Sequence, residues 1–499
     1  MKKTELNKMN GGGCVSKKRR LGIAFLSLFM TACLVTGGIF VAKKPATRLG
    51  DTLDWETNNN TASGSSLADL TASDVETYDE RYELKDGVYS DAPTKKDIWL
   101  NKILSAGNNG KKVLATLGED WVAAGGTIGY LGNADFLTIP TGYDITFDLA
   151  GHNLDKNTGA TYTTESRHFI IQAGGSLTIN DTVGGGQIKG SKAQSGTAGI
   201  NLVSTATSQA KLTINGGIFT ENYAGDAFGV VINARGIVVM NGGKITGNGR
   251  AGDGTPGIIG VGSSVTGHVG SFTMNGGEIS NNVQSGGTIT VGENGRDGSN
   301  IKELEFGTFV MNGGTIKNNR TCDSSFISVT DITNRNYGRG GGVNVVTSTS
   351  SFTMNGGLIY GNTTPYLAGG VNSVGTFTMN GGTIQKNKAG YYLDGTDTSY
   401  SACGGGVVTN GTFIMNGGTI TENTSRIYAG GVYCSGAGAS LVAKCEFNKG
   451  SITDNEAHGS SSSGGGIFLD ANNSIVFKNV VVTGNKLPNS DAIGAGIMQ

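Results

Sequence analysis

The chain has 499 residues, of which 85 are glycine and only 6 are proline, so collagen and proline-rich linkers are excluded. Charged residues make up 15% and hydrophobic residues 37%, which excludes a charge-driven disordered chain and a bundle of membrane helices. Residues 51–499 hold 28 basic and 38 acidic side chains, and this net charge of −10 argues against nucleic acid as a partner. Glycine at this level is typical of the turns of a repeat architecture.

The first segment is a basic stretch, residues 1–20, which ends in four consecutive Lys or Arg residues. Residues 21–42 carry no charge and are long enough to cross a bilayer. They predict a transmembrane signal anchor or an export signal that is removed later. The basic stretch would stay in the cytoplasm, and everything after residue 42 would lie at the cell surface, anchored to the membrane or secreted.

Residues 43–78 are rich in Thr, Ser, Asn and Ala and are predicted to be a flexible linker. Residues 79–110 are predicted to cap the N-terminal end of the fold, because apolar residues at helical spacing in Thr94–Ala106 favour a short amphipathic helix. The segments that follow predict strands at Lys112–Leu117, Leu137–Pro140 and Ile145–Leu154.

Beyond residue 170 one motif recurs, N-G-G-x-[Ile/Phe]-x-x-N, in clear and degenerate copies. Successive closing asparagines are 25 to 43 residues apart, so a constant core alternates with insertions of variable length, as in a solenoid. These closing asparagines are Asn222, Asn248, Asn282, Asn319, Asn362, Asn387, Asn423, Asn455 and Asn485.

Each motif follows a strand pattern in which two apolar residues, such as Phe377 and Met379, flank a residue that is usually Thr. A second short strand then inserts its Ile, and a third begins with Gly-Gly-Val, as at Gly369-Gly370-Val371. Three short strands and three turns describe one coil of a parallel β-helix, with coils stacked about 4.8 Å apart. The Asn of one corner can then hydrogen-bond the Asn of the next coil, forming a structural Asn ladder.

These residues resemble those of the right-handed parallel β-helix proteins of the pectin-lyase-like superfamily. They are especially similar to the repeats of polymorphic outer-membrane proteins and adhesin-like surface proteins, which carry paired GGA[ILV] and FxxN motifs. Here GGGV or GGGI stands for the first motif and IxxN for the second, with one literal FxxN at Phe219–Asn222. The resemblance covers roughly residues 111–499 and implies an all-β, right-handed parallel β-helix solenoid of about ten coils.

The resemblance implies a role in adhesion, in binding of surface glycans or partner proteins, or in scaffolding. The alternative that it implies is a lyase or glycoside hydrolase acting on polysaccharide. No Asp-Asp pair occurs anywhere in the sequence, and no catalytic or metal-binding spacing emerges from the histidines. We therefore expect no catalysis and no cofactor, and we expect each isolated histidine to be solvated: His152, His168, His268 and His458.

One acidic cluster is a candidate metal site. Glu422 and Asp454 precede the closing asparagines of consecutive coils, and Glu456 lies nearby. Stacking would bring the first two about 5 Å apart at the backbone, close enough to share a cation. The alternative is an exposed turn in which Lys386 screens Glu422.

Tyrosines are candidate ligand-binding residues, because many lie between a closing Asn and the next Gly-Gly. Aromatic rings on one corner of several coils would form a ridge able to stack on sugar rings or contact protein. The alternative is that the rings lie on their own coils and cover apolar atoms. The tyrosines concerned are Tyr223, Tyr337, Tyr366, Tyr391, Tyr392, Tyr400 and Tyr428.

Two cysteines, Cys434 and Cys445, fall on inward positions and are expected to be small buried residues or, in an exported protein, a disulfide. The final residues, 494–499, align with 464–469, so they are expected to begin a further coil. An open parallel edge at this point predicts end-to-end self-association or a longer chain.

Overall fold

The computed structural model describes residues 78–84, 88–89, 110, 112–123, 137–158, 166–250, 257–263, 265, 267–297, 300–321, 338–391, 402–436, 443–459, 462–470, 473–487 and 495–498. The chain divides into two compact units, Met1–Thr52 and Leu53–Gln499, and all described residues belong to the second. The predicted segments 1–20 and 21–42, nearly all of the linker 43–78 and the predicted helix Thr94–Ala106 lie outside the described residues. Where the structure is described, it holds no helix long and apolar enough to cross a membrane.

The described chain is all-β, and its strands stack in parallel into long ladders, as in a parallel β-helix. The strands that precede each N-G-G turn form the Phe-Met ladder, and those that follow the turn form the Ile ladder. At Lys444–Thr453 and Ser474–Thr483 one continuous strand serves both ladders.

The other Phe-Met strands are Glu80–Leu84, Lys112–Leu117, Asp144–Asp148, Ser176–Asn180, Lys211–Ile214, Ile237–Met240, Gly270–Met274, Gly307–Met311, Ser351–Met354, Thr376–Met379 and Thr412–Met415. The other Ile-ladder strands are Val88–Tyr89, Trp121–Ala123, Leu154–Asp155, Gln187–Lys189, Ile218–Thr220, Lys244–Thr246, Glu278–Ser280, Thr315–Lys317, Leu358–Tyr360, Thr383–Gln385 and Thr419–Thr421.

The Gly-Gly-Val segments form a third stack, the Gly-Gly ladder. Its strands are Leu137–Ile139, Phe169–Ile171, Ile200–Leu202, Gly229–Ala234, Gly257–Val261, Ile289–Val291, Val343–Val345, Val371–Ser373, Val407–Thr409, Val432–Cys434, Ile467–Leu469 and Ile497–Met498. The predicted alignment of 494–499 with 464–469 is confirmed, because Ile497 pairs with Ile467 in this ladder. Two antiparallel hairpins project between coils, Ser204–Thr205 with Ser208–Gln209 and Glu293–Asp297 with Asn300–Glu305.

A fourth stack, the short ladder, was missed by the prediction of three strands per coil. It begins directly after each closing Asn, and most of its strands have only two residues, too few to show an alternating pattern. The strands are Lys192–Ser195, Tyr223–Asp226, Gly249–Arg250, Val283–Gln284, Arg320–Thr321, Thr363–Thr364, Lys388–Ala389, Thr424–Ser425 and Glu456–Ala457.

The N-terminal part of the stack also differs from its prediction. The strand at Lys112–Leu117 is confirmed, but Glu80–Leu84 already pairs with it in parallel. The ladder therefore begins inside residues 79–110, which the sequence assigned to a cap. Three of the five residues of ERYEL are charged, including the adjacent Glu80 and Arg81, so the segment shows no alternation of apolar and polar residues from which a strand could be predicted.

The core lies between the ladders and repeats from coil to coil. Phe377 and Met379 are fully buried, and the Phe rings of neighbouring coils stack. From Phe272 to Phe377 the ring centres are 4.7 to 5.1 Å apart and the planes differ by 3 to 8°. The inward register predicted from the alternation is therefore confirmed.

The N-G-G turn needs glycine at its third position for two reasons. Gly382 has a φ of 83°, which residues with a Cβ rarely adopt. A Cβ on Gly382 would also lie 2.6 Å from the Cε of Met354 in the preceding coil. The Met and Gly of the repeat are thus two parts of one contact between neighbouring coils.

Candidate functional site

The closing asparagines form a buried ladder that links successive coils. In the Asn387 side chain, Nδ2 donates to Asn423 Oδ1 at 2.9 Å and to the Ile359 carbonyl at 3.0 Å. Its Oδ1 accepts from both the backbone N and the Nδ2 of Asn362, each at 3.0 Å. The same Asn-to-Asn bonds connect all nine predicted residues from Asn222 to Asn485.

His168 occupies the start of this ladder. Its Nε2 lies 3.1 Å from Asn222 Oδ1, where a preceding Asn would donate in the other coils. The ring is fully buried, and this burial lowers the pKa of His168 to about 3, with Lys156 adding to the effect. The prediction that His168 is solvated is wrong, because it is buried at the end of the Asn ladder.

The Gly-Gly corner packs against the Asn ladder across the core. A Cβ on Gly406 would lie 2.8 Å from the carbonyl of Gly431 and 3.1 Å from Nδ2 of Asn423. A side chain at this position would therefore push the coils apart. The paired Gly-Gly and closing-Asn motifs are complementary halves of one buried contact.

A second Asn ladder runs along the surface. The first Asn of each N-G-G turn donates from Nδ2 to Oδ1 of its counterpart in the preceding coil, as Asn380 does to Asn355 at 2.8 Å. The ladder comprises Asn180, Asn215, Asn241, Asn275, Asn312, Asn355, Asn380, Asn416 and Asn448. The recurring MNGG sequence could have indicated this second ladder. From the sequence alone its Asn is assigned to the turn, and no ladder of these residues is predicted.

The tyrosine corner is the turn between the short ladder and the Gly-Gly ladder. Tyr366 and Tyr391 lie there in consecutive coils at the same offset, three residues after the paired Thr363 and Lys388. Tyr428 lies on the next coil, and Tyr223 lies apart from these three, within the short ladder. Tyr337, Tyr392 and Tyr400 lie outside the described residues.

Tyr428 packs on its own and neighbouring coils. Its ring centre is 4.6 Å from that of Phe468 and 6.1 Å from that of Tyr433. The Tyr433 hydroxyl donates to Asp470 Oδ2 at 2.7 Å, and burial raises the pKa of Tyr433. Tyr428 therefore fits the alternative in which a ring covers apolar atoms.

Tyr366 and Tyr391 each have a cation beside the ring. The guanidinium carbon of Arg339 is 5.5 Å from the ring centre of Tyr366, and Nζ of Lys388 is 5.7 Å from that of Tyr391. The Tyr391 hydroxyl also hydrogen-bonds Nε2 of His458, two coils further along. Nδ1 of the same imidazole lies 3.4 Å from Oε1 of Glu456, so these three side chains form a chain of polar contacts.

The three acidic residues predicted to share a metal ion, Glu422, Asp454 and Glu456, have separate surroundings in the structure. Glu422 lies 3.4 Å from Lys386 Nζ and accepts from Gln385 Nε2 at 2.6 Å. Glu456 faces His458, and Asp454 is exposed. Among the described residues, no three His, Cys, Asp or Glu side chains form a group that could hold a metal ion.

The backbone gives these acidic positions a structural role. Glu422 has a φ of 54° and Asp454 a φ of 56°, and Lys386 in the preceding coil has a φ of 55°. Each residue therefore forms the left-handed bend that directs the closing Asn into the core. One further coil has Glu221 at this position, with a φ of 55°, and the remaining coils use Asn or Gly, which are the residues that adopt such a bend most readily.

Cys434 and Cys445 are both buried and form a disulfide between the Gly-Gly and Phe-Met ladders. Cys403 is a buried free thiol, and burial raises its pKa to about 12. A thiol held so strongly in its protonated form is a poor nucleophile at neutral pH.

Comparison of the chain with family models, with curated proteins and with solved structures finds no match in any of the three. The stacked parallel strands support the β-helix architecture, while the likeness to particular β-helix families depends on the sequence motifs alone.

Proposed function

We propose that the chain is an exported protein of the cell surface, a right-handed parallel β-helix related to the pectin-lyase-like superfamily. Its role is to bind surface glycans or partner proteins, in adhesion or scaffolding, without catalysis. The observation that supports binding is the pair of tyrosines, Tyr366 and Tyr391, at one offset of consecutive coils. Rings repeated in this way match a ligand that itself repeats along the coil axis.

The binding test uses the full chain and an array of glycans and cell-surface extracts. A Tyr366→Ala, Tyr391→Ala double variant should lose binding and keep its circular dichroism spectrum. Tyr223→Ala is the matched control, since Tyr223 also has a lysine, Lys192, 5.8 Å from its ring centre but lies in a distant coil. Equal loss in both variants, or no loss in either, would contradict the proposed site.

Export is tested by cell fractionation of the full chain and of a variant without residues 21–42. We expect the full chain in the membrane or outside the cell, accessible to added protease. The deletion variant should stay in the cytoplasm, because the apolar segment is the predicted export element. Retention of the full chain in the cytosol would refute surface localisation.

A second candidate function, polysaccharide cleavage, is favoured by the contacts among Tyr391, His458 and Glu456. An imidazole between a phenol and a carboxylate is an arrangement able to move a proton. The test is an assay of new reducing ends and unsaturated products on a polysaccharide panel. Turnover by the full chain that His458→Gln abolishes would establish the enzyme and refute the non-catalytic role.

A further inference from the structure

The last strand of the Phe-Met ladder, Ser474–Thr483, leaves one end of the stack uncovered. It pairs with Lys444–Thr453, and no described strand pairs with its other edge. Phe477 stacks on Phe447 with ring centres 4.8 Å apart, yet it is 40% exposed, whereas Phe377 inside the stack is fully buried. The other exposed apolar residues at this end are Val476, Val481 and Ile497. An open, apolar parallel edge of this kind favours the addition of a further strand.

The first described strand of the same ladder, Glu80–Leu84, forms the opposite edge. It pairs in parallel with Lys112–Leu117, and no other described strand pairs with it. Asp79, directly before the strand, and Arg81 are exposed, and Glu83 is half-buried. Because successive side chains of a strand point to opposite faces, these three residues share the outer face. This edge therefore presents an acid, a base and an acid in turn.

The surface Asn ladder, formed by the first Asn of each N-G-G turn, connects these two ends in one column of outward positions. Lys478 follows Asn448 in this column, since the residues on either side of both are paired. Toward the other end, the register runs from Asn180 through Asp148 and one further strand to Glu83. The column therefore begins with an acid and ends with a base. Within the described part of the chain, Lys478 forms no ion pair.

The two neighbouring columns are complementary in the same register. Lys444 and Glu446 occupy their outward positions in the strand before the last, and an uncharged residue follows each of them in the last strand. A copy of the first strand added next would place Asp79 in the column of Lys444 and Arg81 in that of Glu446. Two coil spacings, about 10 Å, would separate these opposite charges, which is near the screening length at physiological salt.

We propose that the chain associates end to end with a second copy of itself, the strand Glu80–Leu84 of one molecule adding in parallel to Ser474–Thr483 of the other. The contact continues the ladder by one coil and covers the exposed side of Phe477. It also places Glu83 opposite Lys478, with backbones about 4.8 Å apart. Because the two ends differ, the contact is heterologous and can repeat, giving linear chains of molecules. It does not involve the tyrosine corner and is independent of the proposed function.

The experiment measures sedimentation of the full chain over a range of concentrations, in detergent because residues 21–42 are a predicted membrane segment. The wild-type chain should form larger species as its concentration rises. Lys478→Glu and Glu83→Lys should each weaken association by about tenfold, because a favourable cross-strand charge pair becomes a repulsive one. An equimolar mixture of the two variants should associate like the wild type, because every contact between unlike molecules then joins opposite charges. This rescue would also exclude misfolding as the cause of the loss.

Lys211→Glu is the matched control, because it makes the same charge change at an exposed lysine of the same ladder. Its strand, Lys211–Ile214, is paired on both sides and offers no free edge. Association should therefore be unchanged in this variant. A loss as large as in Lys478→Glu would overturn the inference in favour of general charge attraction.

Crosslinking by a carbodiimide, which joins a lysine amine to a carboxylate, identifies the contact directly. Peptide mass spectrometry of the wild-type chain should find Lys478 joined to Glu83. Within one molecule these residues lie at opposite ends of the ladder, so this crosslink reports contact between molecules. A chain that stays monomeric without the crosslink would overturn the inference. Association that Glu83→Lys leaves unchanged would also overturn it, in favour of pairing between two C-terminal edges.

Discussion

Replacement of Asn387 by Ala should destabilise the protein severely, because it interrupts the buried Asn ladder. Its side chain makes four hydrogen bonds of 2.9 to 3.0 Å, and the residue is fully buried. Each bond contributes about 1 kcal/mol net, and the orphaned Asn362 N–H and Ile359 carbonyl add a further cost of about 1 kcal/mol or more each. We therefore expect the free energy of unfolding to fall by about 4 to 6 kcal/mol.

Asn380→Ala is the matched control, because it removes the same side chain from the same coil. Asn380 donates to Asn355 at 2.8 Å and accepts from Asn416 at 2.9 Å, but it is exposed. Water can replace both bonds, so the expected loss is below about 1 kcal/mol.

Urea unfolding followed by circular dichroism gives the loss of free energy for both variants. Hydrogen exchange at the Asn362 amide, which donates to Asn387 Oδ1, reports the site directly and should speed up only in Asn387→Ala. Similar losses in the two variants would refute the argument, since burial would then not decide the energy of an Asn ladder.

Three further changes test the turns, the core and the pH response. Phe377→Asp places an unpaired charge within stacked rings and should lower the unfolding temperature sharply, and an unchanged melt would refute the inward register. Ala429→Gly should stabilise the fold by about 0.5 kcal/mol in urea unfolding. Ala429 has a φ of 51°, and the neighbouring coils have glycine, Gly404 and Gly464, at the same position. Destabilisation by this change would refute backbone strain at Ala429. The free energy of unfolding should fall by about 1 kcal/mol per pH unit as the pH is lowered from 6.5 toward 3. In this range His168 binds a proton in the unfolded chain but not in the folded one, where its pKa is about 3. His168→Gln should remove this part of the pH dependence, and parallel profiles in the two proteins would contradict the assignment.

Periodic residues made most of the fold predictable from the sequence. Phe377, Met379 and Asn387 recur at fixed offsets, and in a stack of parallel coils a fixed offset becomes a fixed position in space. The short ladder was not predictable because its two-residue strands have no period of their own. His168 was missed for a related reason: Ser191 holds the position of the closing Asn in the coil before Asn222, and His168, from the start of a Gly-Gly-ladder strand, supplies the side-chain contact instead.

The acidic residues at one corner of the stack show a second reason why a site cannot always be predicted from the sequence. Glu422 and Asp454 were candidate metal ligands because their carboxylates recur at one corner of the stack. What the position requires is a backbone bend, and Asn318 and Gly361 supply the same bend elsewhere without any charge. A residue type that varies among Asn, Gly, Lys and acids at one offset indicates a conformational requirement more than a chemical one.

The variation in coil length is consistent with the proposed placing of the binding site at the tyrosine corner. The distance from a closing Asn to the second Gly of the Gly-Gly-Val or Gly-Gly-Ile segment that follows it in the same coil ranges from 8 positions, at Asn362 to Gly370, to 23 positions, at Asn319 to Gly342. The N-G-G turn, by contrast, keeps its length because Met, Gly and Asn contacts cross every neighbouring coil. A corner that tolerates insertions can change its side chains without disturbing the stack, so specificity can be altered there at little cost in stability. The cations beside Tyr366 and Tyr391 occupy this variable corner.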